Sequence, residues 1–210
     1  MKAARTFAEW RAHAERGEPD AAYMVGMQYQ LGVLCPRDLA QSVLWLQRAA
    51  EREHVEAQHA LGRAILEGMG APKDRAEALR WLLMAASRGH AYAQFTSGQL
   101  MLDAAADARA RDEAATWFAR AAVSLEAMAV EAVRAGDTAP VPWHYLGIIH
   151  EAGRGVPVDL VTAYTWHSLA ANISYPPAID AARALAGTMT DDQIADARRR
   201  ASRWIERASA

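Results

Sequence analysis

The chain of 210 residues holds 23 basic and 25 acidic side chains, a formal net charge of −2, which argues against a general phosphate-binding surface and against nucleic acid as a partner. Its one cysteine, Cys35, excludes an intramolecular disulfide framework and fits a reducing compartment. The longest uncharged run, residues 160–179, is broken by His167, Asn172, Pro176 and Pro177, so no membrane span is expected.

The N-terminal stretch MKAARTFAEWRAHAERGEPD carries charges throughout and has no apolar core, which speaks against a signal peptide. The expected location is cytoplasmic, or periplasmic if a native leader has been removed. Residues 2–17 predict a helix with Phe7, Trp10 and Ala14 on one face, ended by Gly17 and Pro19. Segment 2–20 therefore reads as an N-terminal cap, because the end of a repeat array must cover its apolar face.

A fixed period begins here. Gly26, Gly62 and Gly98 lie 36 residues apart, as do Trp45, Trp81 and Trp117. A fourth copy follows at Gly147, 49 residues after Gly98, which is the period plus an insertion of 13, and Asp159, Ala163 and Trp166 restore the register. Self-similarity of this kind is the signature of a stacked array. The units are 21–56, 57–92, 93–142 with the insertion, and 143–178, all within one domain spanning 1–210.

Each unit reads as a helix, a turn and a second helix. Ala57, Leu61, Ile65 and Leu66 form a stripe of helical period with Gly62 inside it, where glycine costs about 1 kcal/mol relative to alanine. A glycine kept there in every copy implies close approach by a neighbouring helix. Gly68, Gly70 and Pro72 end the first helix, and Asp74 with Glu77, like Asp38 with Gln41, has the spacing of a capping box. Ala78, Trp81, Ala85 and Ala86 make the second stripe. By position, Trp45, Trp81, Trp117 and Trp166 belong to the stacked core rather than to a ligand ladder.

The insertion is the most individual feature. Residues 112–135 contain neither glycine nor proline, which predicts a lengthened second helix in the third unit, ended by Gly136. Thirteen helical residues add about 20 Å. Val123, Leu125, Met128, Ala129, Ala132 and Val133 then need cover, either from the fourth unit and residues 137–142 or from a partner. Two capping helices over 179–208 end the chain. The first carries Ile179, Ala182 and Leu185. The second starts at Thr190, with capping-box spacing to Gln193 and a stripe of Ile194, Ala197, Ala201, Trp204 and Ile205. Arg198, Arg199, Arg200 and Arg203 read as a solvated polar face.

The pattern Ala-x-x-x-Leu-Gly, Gly-x-Gly, Asp, Ala-x-x-Trp, Ala-Ala and Gly-His resembles the Sel-1-like repeat of bacterial type, a relative of the tetratricopeptide repeat, over roughly residues 21–178. The resemblance implies an all-α fold, a right-handed α/α solenoid of four helix-turn-helix repeats with N- and C-terminal capping helices. Two departures stand out. The first copy has Val33-Leu34 where Gly-x-Gly would finish, and the third has Ala104 and Ala110 at the Gly and Asp positions, so the usual turn is in doubt there.

Motifs for chemistry are missing. The seven histidines form no HExxH or other close ligand set, His54 and His90 share one repeat position, and His144 and His150 point in different directions on a helix. Cys35 precedes Pro36 in a turn with no histidine near it in sequence. No catalytic residue, metal or cofactor is expected. What remains is a surface, at the positions three before, one after and four after each marker glycine. The partner-binding candidates there are Tyr23, Met27, His59, Arg63, Phe95, Gln99, His144 and Ile148, joined by Met128 on the insertion. The same set also fits an ordinary amphipathic surface. In solenoids of the resembled kind the first helices generally line the concave side.

The expected function is thus a non-catalytic scaffold or adaptor with a regulatory role, binding a protein or peptide partner, its oligomeric state open. One alternative is an immunity protein that neutralises a bacterial toxin one-to-one. Another is weak β-lactamase-like hydrolysis, linked to cysteine-rich relatives. Against it stands the single Cys35 where those relatives have paired cysteines.

Overall fold

The computed structural model describes residues 6–209, and among them the chain forms eleven helices and no strand. In chain order these are α1 (Phe7–Glu15), α2 (Pro19–Leu31), α3 (Leu39–Ala50), α4 (Val55–Glu67), α5 (Arg75–Ser87), α6 (Ala91–Ala104), α7 (Ala108–Arg134), α8 (Pro140–Ala152), α9 (Leu160–Asn172), α10 (Pro176–Ala186) and α11 (Asp191–Ser209). Contacts divide the chain into two units, Met1–Leu100 and Met101–Ala210. Residues 2–5 of the expected first helix lie outside the described residues. From Phe7 the helix is present, opened by a reciprocal box in which Glu9 N–H donates to Thr6 Oγ1 (3.3 Å) and Thr6 N–H donates to Glu9 Oε2 (2.7 Å).

In the first unit α2 packs on α3 and α4 on α5, with α3 also against α4. The marker glycines make the first two pairings possible. A Cβ on Gly26 would lie 2.9 Å from Leu46 Cγ, and one on Gly62 would lie 2.8 Å from Leu82 Cγ and 3.1 Å from the Ala78 carbonyl. The helix axes can approach only because that atom is missing. Gly32 and Gly68 close α2 and α4 in the left-handed region (φ +70° and +75°). Six residues later come the N-caps of the second helices, Asp38, which accepts from Gln41 N–H (3.0 Å), and Asp74, which accepts from Ala76 and Glu77 N–H (both 2.9 Å). Gly70 has a further duty, since a Cβ there would run into the Leu39 carbonyl at the start of the preceding α3. Leu34, at the corresponding place in the first repeat, stands exposed.

The second unit repeats this logic with α8 on α9: Gly153 closes α8 (φ +63°), Asp159 caps α9 through Thr162 N–H (2.9 Å), and Gly155 abuts the Ala115 carbonyl of α7. The doubt over the third turn proves justified. Only residues 105–107 separate α6 from α7, and the cap moves to Asp107, which accepts from Ala110 N–H (2.9 Å). Without the glycine that turns the chain left-handed, α6 runs to Ala104, and the next available acceptor starts α7 early.

The insertion is helical as expected, making α7 27 residues long, or about 40 Å. It stops before Gly136 (φ +77°). Its inner stripe, including Leu125 and Ala129, is fully buried, and α7 packs on α8 and also on α11, the C-terminal helix that the sequence reading used only as a cap. Val123 on the outer side is 72% exposed.

One expectation needs correcting. Trp45 and Trp166 are buried, but Trp81 and Trp117 are only half-buried, at the rim of the stack. The alanines beside them fill the centre, leaving one indole face of Trp117 to Arg120, whose guanidinium lies 4.9 Å from the ring centre.

Candidate recognition surface

Three of the four repeats bring two specific positions together: the residue three before the marker glycine, and the residue 31 positions later at the N-cap of the helix that opens the next hairpin. In the first unit Tyr23 on α2 stacks on His54, with ring centres 4.7 Å apart, and His59 on α4 stacks on His90 at 4.2 Å. In the second unit His144 on α8 meets Tyr175 edge-on at 5.6 Å. The spacing follows from the fold. His54 and His90 are the N-caps of α4 and α6, their Nδ1 atoms accepting from Ala57 N–H (3.1 Å) and Ala93 N–H (3.2 Å). This bond fixes the ring plane so that its face meets the preceding repeat.

Charge surrounds the first pair. The carboxylates of Asp20 and Glu56 stand 3.5 and 3.4 Å from the nitrogens of His54, and burial together with Glu56 pushes the Tyr23 phenol up. The second pair is electrostatically different. Burial, then His90, then Arg63 hold His59 down at about 3, and burial also lowers His90 against the opposing pull of Glu56. Both imidazoles are neutral at physiological pH, and Tyr92 lies beside them at 6.1 and 6.4 Å.

In the second unit the rings continue inward. His144 Nδ1 lies 3.2 Å from Nδ1 of His167, which is fully buried. His167 occupies the position held by Leu46 and Leu82 in the first two repeats, and its ring lies directly over Gly147. Its Nε2 has no hydrogen-bond partner; the Glu151 carboxylate is 3.5 Å away without bonding geometry. Burial and then His144 hold His167 down at about 4.

The remaining candidates are scattered. Met27 packs half-buried beside Tyr23, whereas Arg63 is tied along its own helix to Glu67 (2.8 Å). Phe95 is 9% exposed and so presents little surface; Gln99 and Ile148 are half-buried. Met128 on α7 is 39% exposed. The sequence reading passed over His54, His90 and Tyr175 as surface partners, and the 31-residue spacing is the signal that finds them. His167 was legible as the one polar residue in a column of Leu46, Leu82 and Phe118.

Among the described residues no group of three His, Cys, Asp or Glu side chains could hold a metal ion. Partial burial and Asp38 push the Cys35 thiol up, which disfavours the thiolate that a nucleophile needs. No described helix is long and apolar enough to cross a membrane.

Residues 19–54, 55–90 and 144–174 match the family model for the Sel1 repeat. The chain carries Sel1 repeats. The first two matched segments keep the 36-residue period but start two residues earlier than the boundaries read from the sequence, and the third starts one residue later. The stretch with the short turn and lengthened α7 lies outside them. Over 96% of its length the chain is similar to a crystal structure of a Sel1 repeat protein from Oxalobacter formigenes, covering 77% of that chain at 23% identity and a TM-score of 0.66. This likeness is one of fold, the all-helical solenoid class. A second similarity is to c5321, a protective antigen present in uropathogenic Escherichia coli strains displaying an SLR fold, with 97% of this chain and 56% of that one covered at 19% identity and a TM-score of 0.45. No curated protein matches the sequence. Sel1 repeat proteins are generally protein-interaction scaffolds.

Proposed function

We propose that this Sel1-repeat chain is a non-catalytic adaptor with a regulatory role that binds a protein or peptide through its paired rings: Tyr23–His54 and His59–His90 in the first unit, and His144–Tyr175 in the second. The observation that carries the reading is the pairing itself. Half-buried rings locked by a helix-capping bond on one side and a stacking neighbour on the other lose little freedom when a partner covers them. Their mixture of aromatic faces, neutral imidazole nitrogens and nearby carboxylates is the composition that recognition centres use. Val123 and Met128 on α7 offer a second apolar contact in the other unit.

The test is affinity capture from the native organism with wild type and with Tyr23→Ala/His59→Ala, identification of any enriched protein, and titration of that protein against both. The double variant must keep wild-type helicity and melting. The reading expects a single enriched partner that binds the variant about tenfold or more weakly. Equal affinity for both would move the interface off the rings, and enrichment of no protein would count against the scaffold.

A further inference from the structure

A concavity of about 700 Å³ lies wholly in the second unit, lined by α7, α8, α9 and α11. That is the size of a small-ligand site. Its floor is aromatic: Trp166 and Trp204, 6% and 7% exposed, meet edge-to-face with ring centres 5.1 Å apart. Trp204 Nε1–H donates to Glu126 (3.3 Å), but Trp166 Nε1–H, equally buried, has no acceptor. Buried donors are almost always paired, and this one, with no exposed surface of its own, sits in an indole that lines the cleft.

The rim supplies charge. Arg200, Arg203 and Arg207 follow one another at i, i+3 and i+7 along α11 and flank Trp204. Arg200 is committed, with Nε 2.8 Å from Asp196 and Nη1 3.9 Å from Asp159. Arg203 and Arg207 are not. Their only hydrogen bonds reach carbonyls of their own helix, Arg199 O at 3.3 Å and Arg203 O at 3.4 Å, and neither has a carboxylate within ion-pair distance among the described residues. Two guanidiniums beside an apolar floor are geometrically suited to a carboxylate, which they can grip by paired N–H donors. Glu126 and Glu206 on the same walls keep the net charge low, which favours one carboxylate over a polyanion. His150 also lines the cleft, and its half-buried imidazole is held neutral by burial, adding no charge of its own.

We propose that this cleft binds an apolar carboxylate, its hydrocarbon body on the indoles of Trp166 and Trp204 and its carboxylate between Arg203 and Arg207. The site shares no residue with the ring pairs on α2, α4 and α8. Two sources share this chemistry, the C-terminal residue of a peptide and a free organic acid.

The experiment separates them. ¹⁵N-labelled protein is titrated with acetyl-Ala-Ala-Leu bearing a free C-terminal carboxylate, with the same peptide as its C-terminal amide, and with 4-methylpentanoate, following the Trp166 indole N–H signal assigned through Trp166→Phe. The proposal expects a saturable shift with at least one of the two carboxylates. It also expects binding about tenfold or more weaker for the amide and for Arg203→Ala/Arg207→Ala. Arg198→Ala, on the same helix outside the cleft, should bind as wild type. Saturation by the peptide alone assigns the site to chain termini, and saturation by the small acid alone assigns it to a metabolite-sized ligand. The proposal is overturned if neither carboxylate shifts Trp166, if amide and acid bind alike, or if Arg198→Ala loses binding as the double variant does.

Discussion

His167→Leu should stabilise the second unit, and the structure gives the size of the effect. In the first two repeats the same position holds Leu46 and Leu82, each packed over a glycine with no room for a Cβ, so leucine is already proven against this neighbour. His167 is fully buried with Nε2 unpaired, a loss of about 1–3 kcal/mol, against which its contact with His144 returns about 0.5–1.5 kcal/mol. The half-buried His144 can take a water in exchange. The net gain for leucine at neutral pH is about 1 kcal/mol, or roughly 3 °C in Tm for a chain of this size.

Acid enlarges the difference. The unfolded imidazole binds its proton below about 6.5, whereas burial delays protonation of folded His167 to about 4. Between these values the unfolded state holds more protons, so the stability present at neutral pH falls as pH drops through this window. For the single site the loss is about 2 kcal/mol between about pH 7 and about pH 5. Of the charged groups around it, His144 opposes protonation, and the Glu151 carboxylate at 3.5 Å is too poorly aligned to offset burial. Urea unfolding of wild type and His167→Leu, followed by circular dichroism at both pH values, should therefore show a gap that widens from about 1 to about 3 kcal/mol. A variant less stable than wild type at neutral pH, or a gap that does not widen in acid, would refute the account of His167 as a neutral buried misfit.

Three further outcomes follow from the same contacts. Gly62→Ala should lower stability by about 1–2 kcal/mol in urea titrations, because overpacking against Leu82 and the Ala78 carbonyl exceeds the gain of about 1 kcal/mol in helix propensity. Asp107→Ala removes the only side-chain cap of the long α7 and should cost about 1 kcal/mol in the same assay, with frayed helicity at 108–110 seen by amide exchange. His59→Tyr copies the Tyr23–His54 stack one repeat on and removes a group whose folded value is held at about 3; stability lost by wild type as pH falls from about 6.5 towards that value should be reduced in the variant, as read by melting against pH.

The scaffold was legible because a repeat states each constraint several times. Gly26 and Gly62 against Leu46 and Leu82, Asp38 and Asp74 as caps, and Thr190 with Gln193, which exchange bonds of 2.8 and 3.3 Å, each follow from spacing and local chemistry alone. What spacing within one helix could not supply is contact between repeats. Counting from the marker glycine found Tyr23, His59 and His144 but treated each as a free surface residue, because the partner ring lies 31 positions on, beyond any helical period. Phe95 shows the opposite error: it shares their register, yet it is buried. The cleft beneath α11 was hidden for a similar reason. Arg200 and Arg203 read as part of a polar face, and Arg207 drew no reading, until Glu126, His150 and Trp166, each from a different helix, are placed opposite them.

The double duty of the capping position ties architecture to the proposed recognition surface. His54 and His90 hold a helix N-terminus with one nitrogen and a neighbour's ring with one face, so neither can vary without disturbing the joint between repeats. The residue stacked on them is less constrained: tyrosine and histidine both serve in the first unit, and in the second His144 packs against Tyr175, which makes no side-chain cap. On the proposed reading, exchanging the ring at 23, 59 or 144 would change specificity while the spacing of the array stays fixed. On this account Tyr23→Phe should preserve melting and the His54 stack while removing only the phenolic hydroxyl from the partner's reach. An equal loss of stability and of binding in that variant would place the hydroxyl in the joint rather than in the interface.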